Sequence, residues 1–179
     1  MSAYVSMNQL ALSFARGANI SSSTVTAEET KSQTTVAHEV KIQRHWVIYL
    51  DVSGSMSGSK IKELKQCLVK IYTSHMVQDG DLVTIKTFSN EIKPLAIAMQ
   101  VAMVDVASIV PKIRAGGMTP LYDAIADGLA IAERAKKANR NLVTELIVFT
   151  DGADSSSRLS LQEVIKKVAK PGFGDFNLM

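Results

Sequence analysis

Short apolar runs and amphipathic stretches take turns along most of this chain. Trp46-Val47-Ile48-Tyr49-Leu50 is an unbroken apolar run, rich in β-branched and aromatic residues, and it ends in Asp51-Val52-Ser53-Gly54-Ser55. A run of that length closed by a Gly/Ser turn reads as a buried strand. Residues 60–76 then place Ile61, Leu64, Leu68 and Ile71 on one helical stripe. Residues 81–89, with Leu82, Val83, Ile85 and Phe88, read as a second strand entered through the turn Asp79-Gly80. Residues 92–97 read as a shorter strand that Pro94 assigns to an edge. The pattern predicts a helix over 104–113, with Pro111 limiting its last turn.

Gly116-Gly117-Met118-Thr119-Pro120 is a loop entering the next helix. Thr119 is expected as its N-cap and Pro120 at its first position, with Leu121, Ile125, Leu129 and Ala132 as the apolar stripe. Residues 142–150, centred on Leu146-Ile147-Val148-Phe149, form another buried strand and run into Asp151-Gly152. Residues 160–169 read as a helix with Leu161, Val164, Ile165 and Val168 on one face, stopped by Pro171-Gly172, and 176–179 begin one more strand. Strands alternating with helices imply an α/β fold whose sheet is mainly parallel and covered by helices on both faces.

Residues 1–43 have a different pattern. Leu10, Leu12 and Phe14 alternate with smaller residues, as do Val36, His38, Val40 and Ile42, and the Ser/Thr-rich stretch 20–35 lies between them. Two strands that pair as an N-terminal β-extension, joined by a loop, are expected there.

At 179 residues, 46% apolar and 21% charged, the chain has the size and composition of one globular domain. A net charge of +3 spread over scattered Lys and Arg argues against nucleic-acid binding. No apolar run approaches the ~20 residues that span a bilayer, and no basic segment leads into an apolar one at the N-terminus. The expected location is therefore cytoplasmic or nuclear. Cys67 is the only cysteine and sits on the apolar side of the first helix, where it reads as a small buried hydrophobe. His38, His45 and His75 share no ligand spacing and read as structural or surface residues.

In a parallel sheet with right-handed crossovers, strand C-termini and helix N-termini share one edge, where ligands bind. Asp51, Ser53 and Ser55 follow one strand, Thr119 precedes a helix, and Asp151 follows another strand. All five offer oxygen, the ligand that magnesium and other hard cations choose. Singly, Ser and Asp after a strand turn the chain or cap the next helix, and Asp154 with Ser155 to Ser157 reads as such a cap. Asp123 reads as a dipole partner of the first helical turn and not as a ligand. Met56 and Met118 flank the site, as loop packing or as partner contacts.

The order Asp-x-Ser-x-Ser-Met, then Gly-Gly-x-Thr-Pro-x-Tyr-Asp-Ala, then Thr-Asp-Gly resembles the von Willebrand factor type A domain from residue 44 onward. That resemblance implies a Rossmann-like three-layer α/β/α sandwich with sheet order 3-2-1-4-5-6, and a metal-ion-dependent adhesion site at Asp51, Ser53, Ser55, Thr119 and Asp151. It implies Mg2+ or Mn2+ as the ion and, as partner, a protein supplying a Glu or Asp carboxylate. Against the family's usual length, the chain is expected to lack a last helix and a sixth strand. No His, Lys or further carboxylate is motif-linked to the five, so binding without turnover is expected. The alternatives are a magnesium-dependent phosphotransferase or hydrolase, and a scaffold whose metal is purely structural. A phosphotransferase of the aspartyl type would want a carboxylate where Ser53 stands, and neither a Gly-x-Ser-x-Gly elbow nor a phosphate-binding Gly-Lys loop is present.

Overall fold

The computed structural model describes residues 42–74, 76–169 and the backbone of 177–178. The expected β-extension, apart from Ile42 and Gln43, lies outside the described residues, as do His38, His75 and the Pro171-Gly172 stop. Among the described residues, five strands form one sheet: β1 (Arg44–Asp51), β2 (Leu82–Phe88), β3 (Ile92–Gln100), β4 (Val143–Phe149) and β5 (Asn177–Leu178). Their spatial order is β3-β2-β1-β4-β5, with β3 antiparallel and the others parallel. The helices are α1 (Ser59–Thr73), the short α2 (Val106–Ile109), α3 (Leu121–Ala138) and α4 (Leu161–Val168).

β1 is apolar without interruption from Trp46 to Leu50 because both of its faces are covered there. Successive strand residues point to opposite faces. Trp46, Ile48 and Leu50 pack with Leu64, Leu68 and Ile71 of α1, while Val47 and Tyr49 pack with Ala124 and Leu129 of α3 and Val164 of α4. The register sets Asp51 opposite Phe88 and Leu50 opposite Phe149, so β1, β2 and β4 end level with one another. That level edge carries the loops of interest.

Four expectations change in detail. Residues 104–113 do not form one helix: α2 is a single turn, flanked by 3-10 turns at Val101–Met103 and Val110–Lys112. Asp105 caps α2 through the Ser108 N–H, and Pro111 has no N–H to extend it. β3 runs beyond residue 97 to Gln100 through a register irregularity, where Ala98 has φ +44° and its N–H is taken by the Thr84 hydroxyl at 3.0 Å. Pro120, not Thr119, occupies the N-cap position of α3. Cys67 is exposed rather than buried, because the buried stripe of α1 is the narrower Leu64–Leu68–Ile71 seam. The expected order of the first five strands and the edge position of the Pro94 strand hold. Among the described residues no helix is long and apolar enough to cross a membrane.

Candidate metal site

Asp51 is the last residue of β1 and is fully buried. A buried carboxylate must have its oxygens satisfied. Oδ1 accepts the Ser53 N–H at 2.8 Å, an Asx-type turn that bends the chain out of the sheet. Oδ2 accepts the hydroxyl of Thr150, just past β4, at 2.6 Å. The strand order that puts β4 beside β1 therefore also ties their two loops together.

The Ser53 and Ser55 hydroxyls lie 3.0 Å apart, and Ser55 Oγ donates to Asp151 Oδ1 at 2.9 Å. A hydroxyl has one proton. With that of Ser55 given to Asp151, Ser53 is the donor to Ser55, and the chain of bonds runs in one direction toward Asp151. Asp151 Oδ2 pairs with the Lys60 ammonium from the first turn of α1. Burial pushes the Asp151 carboxyl up, but hydrogen bonds from Lys60 and Ser55 outweigh it and hold it below the usual carboxylate value.

The third loop is docked through its backbone. Gly54 N–H donates to Gly117 O at 2.9 Å, and Gly116 N–H donates to Val52 O at 2.7 Å. Gly117 has φ +91°, and a Cβ there would stand 2.6 Å from Asn90 Oδ1, the atom that accepts the Met118 N–H. Glycine is required by both conformation and space. Thr119 is buried; its N–H donates to Ser155 Oγ and its carbonyl accepts from Ser155 N–H, both at 2.9 Å. Those bonds use the Thr119 backbone and leave its hydroxyl out.

Asp123 and Asp154 lace the loop after Asp151 to the start of α3. Asp123 accepts the N–H groups of Arg158 and Leu159 at 3.0 Å each. Asp154 accepts from Tyr122 N–H and from the Ser157 hydroxyl. It does not cap α4, as its position had suggested; Ser160 does, in a reciprocal capping box with Glu163. Met56 is buried in the core, and Met118 is exposed at 53% beside Thr119.

Four of the five sequence-predicted residues, Asp51, Ser53, Ser55 and Asp151, are thus joined by hydrogen bonds, and the fifth, Thr119, sits on a loop bonded to both neighbouring loops. All five donors are oxygens, two of them carboxylates, which suits a hard divalent ion. Among the described residues no three His, Cys, Asp or Glu side chains gather. Lys60, the Thr150 hydroxyl and Ser155 belong to the site without being among its five sequence-predicted residues, Ser155 having read as part of a helix cap. Thr150 lies within the Thr-Asp-Gly motif; Lys60 and Ser155 have no local signal, since each acts across the fold. A groove of about 620 Å³ runs from Asp151 and Gly152 along Lys60, Leu64 and Cys67 of α1.

Comparisons with known proteins bear on the family and the fold. Inter-alpha-trypsin inhibitor heavy chain H1 of Mesocricetus auratus is 26% identical over 144 residues, and heavy chain H4 of Bos taurus is 28% identical over 142. Each match covers 76% of this chain and 16% of the relative, so the chain spans about a sixth of the length of these relatives. Among solved structures, a von Willebrand factor type A protein from Catenulispora acidiphila is similar in fold, with a TM-score of 0.57 at 19% identity over 76% of this chain and 32% of that one. The family model for the von Willebrand factor type A domain matches residues 47–176, and the chain belongs to that family of protein-interaction modules, which are often metal-dependent.

Proposed function

We propose that this domain binds a protein partner through a divalent cation, Mg2+ or Mn2+, held by Asp51, Ser53, Ser55, Thr119 and Asp151. The observation that carries this reading is the one-way chain of hydroxyls between two carboxylates on separate loops, Ser53 to Ser55 to Asp151, with Asp51 bonded to the Ser53 backbone. Asp51 fixes the turn that presents the two serines. Ser53 and Ser55 offer neutral oxygens, and Asp151 offers charge at the surface. The ion, once bound, supplies an electrophilic point that accepts a Glu or Asp carboxylate of the partner in a charge-assisted contact. The loops around it, with Met118 exposed at the rim, select which acidic residue is accepted. Binding proceeds without turnover.

The test has two arms. Calorimetric titration with Mg2+ is expected to show one site that Asp151→Ala weakens by at least about tenfold, the lower range for loss of a group supporting a metal, with the circular dichroism spectrum unchanged. A partner captured on immobilised domain is expected to be released by a chelator. Equal Mg2+ affinity in wild type and variant overturns the ligand assignment. Partner binding that survives chelation overturns the bridging role and favours an ion that only staples the loops.

A further inference from the structure

Lys60 is a positive charge inside a site otherwise built from carboxylates and hydroxyls. It is the second residue of α1, whose first turn contains no acidic residue. A helix N-terminus carries partial positive charge and is an unfavourable place for a cation. The side chain is 52% exposed and free to extend into water, yet its ammonium is held on Asp151 Oδ2. The other oxygen of that carboxylate takes the Ser55 hydroxyl. Asp151 is therefore fully engaged, with a cation already on it.

We propose that Lys60 is a tethered competitor for the divalent ion: its ammonium occupies Asp151 while the ion is absent and must swing out for the ion to enter. The inference rests on the metal reading above. A divalent ion and an ammonium on one carboxylate repel each other, so the two occupancies exclude one another. Apparent ion affinity is then the intrinsic affinity multiplied by the fraction of molecules in which Lys60 has left Asp151. The half-exposed lysine stem keeps the gate shallow and reversible, as an ion pair open to water on its lysine side is weak. The helix end adds a return drive of the opposite sign to ion binding, because a displaced ammonium stays near the positive pole of α1 unless Asp151 takes it back.

The experiment is a calorimetric titration of the whole chain with Mn2+ alone, in wild type, Lys60→Gln, Lys60→Arg and Asp151→Ala. Lys60→Gln is expected to bind Mn2+ about two- to fivefold tighter than wild type, the upper range a surface-exposed ion pair supports. Lys60→Arg keeps the charge and is expected to stay close to wild type. A second measurement follows the Lys60 amine directly: its acetylation rate, read by mass spectrometry, is expected to rise when Mn2+ is added. If Mn2+ binds wild type and is lost in Asp151→Ala while Lys60→Gln binds no tighter, the competitor role alone is overturned. If acetylation of Lys60 is unchanged or slowed by Mn2+, the swing is overturned. If wild type takes no Mn2+ at millimolar concentration, the metal reading falls and the competitor role with it.

Discussion

Gly128 offers a sharp test of how α3 is seated on the sheet, because the sign of its substitution depends on packing. It lies within α3, buried against β1 and β4. A Cβ added there would stand 2.6 Å from Leu146 Cδ1, 3.0 Å from Leu146 Cδ2 and 3.1 Å from Tyr49 Cε2. Carbon atoms pack best at about 3.5–4.0 Å, so the nearest contact is about 1 Å too close. Neither neighbour yields freely. Leu146 and Tyr49 are both fully buried, and the Tyr49 hydroxyl is tied to Asp127 at 2.5 Å. Alanine in a helix interior is better than glycine by about 1 kcal/mol, and forcing an extra methyl into a packed core costs about 1–3 kcal/mol. The net expectation for Gly128→Ala is destabilisation by about 1 kcal/mol.

Leu146→Ala removes the two nearest colliding atoms, leaving Tyr49 Cε2 at 3.1 Å, and on its own costs about 2–5 kcal/mol. In that background Gly128→Ala is expected to become stabilising, by up to about 1 kcal/mol. Urea unfolding followed by far-ultraviolet circular dichroism, with the slope compared across all four proteins, reads both numbers. Stabilisation by Gly128→Ala in the wild-type background, or the same sign in both backgrounds, would refute the close approach of α3 to the sheet.

Other outcomes follow from single contacts. Burial pushes the Asp127 carboxyl up, but hydrogen bonds from Lys86 and Tyr49 and the charges of Lys86 and Arg134 outweigh it and hold it below its ordinary value. A depressed carboxylate contributes stability above its unfolded pKa, about 3.9, that is lost as pH falls through the lower folded value. Asp127→Asn is therefore expected to be less stable than wild type by about 1–3 kcal/mol near neutrality, with the gap closing below about pH 4; a constant gap in melts across pH would contradict the pairing. Ser160→Ala removes the Ser160 side of the capping box on α4 and is expected to cost about 1 kcal/mol, read as a lower urea midpoint together with faster hydrogen exchange at the Glu163 amide. Asp123→Ala is expected to speed exchange at the Arg158 and Leu159 amides, whose acceptor it removes, and protection equal to wild type would mean that the loop is held by something else.

Much of the fold is written in local pattern. β1 is legible because burial on both faces leaves no polar position between Trp46 and Leu50. α1 is legible because Leu64, Leu68 and Ile71 make a single stripe. The failures share a physical cause, the dominance of contacts across the fold over local preference. Thr119 has N-cap chemistry, but its backbone is claimed by Ser155, and α3 starts one residue later. Asp154 precedes a helix and yet serves the start of α3 and Ser157. Ala98 gives no sign of its positive φ, which is maintained where Thr84 takes its N–H. The five candidate residues stand out in the sequence because they lie within short motifs. Lys60 does not, because it meets Asp151 across 91 residues of sequence.

The two carboxylates of the site differ in a way that bears on how it would work. Asp51 is fully buried, its oxygens held by the Ser53 N–H and the Thr150 hydroxyl, so it is part of the frame that joins β1 to β4. Asp151 lies on a surface loop, and its partners are a serine hydroxyl and a half-exposed lysine. Moving Asp51 would break bonds that no solvent can replace, whereas moving Asp151 exchanges contacts that water competes for. For the proposed ion, a frame fixed on one side and exchangeable on the other would let it enter by rearranging Asp151, Lys60 and the chain of serine hydroxyls bonded to Asp151. Loss of Asp51 should therefore damage fold and ion binding together, and loss of Asp151 should separate them. Asp51→Ala that retains wild-type stability would place the rigid half of the site elsewhere.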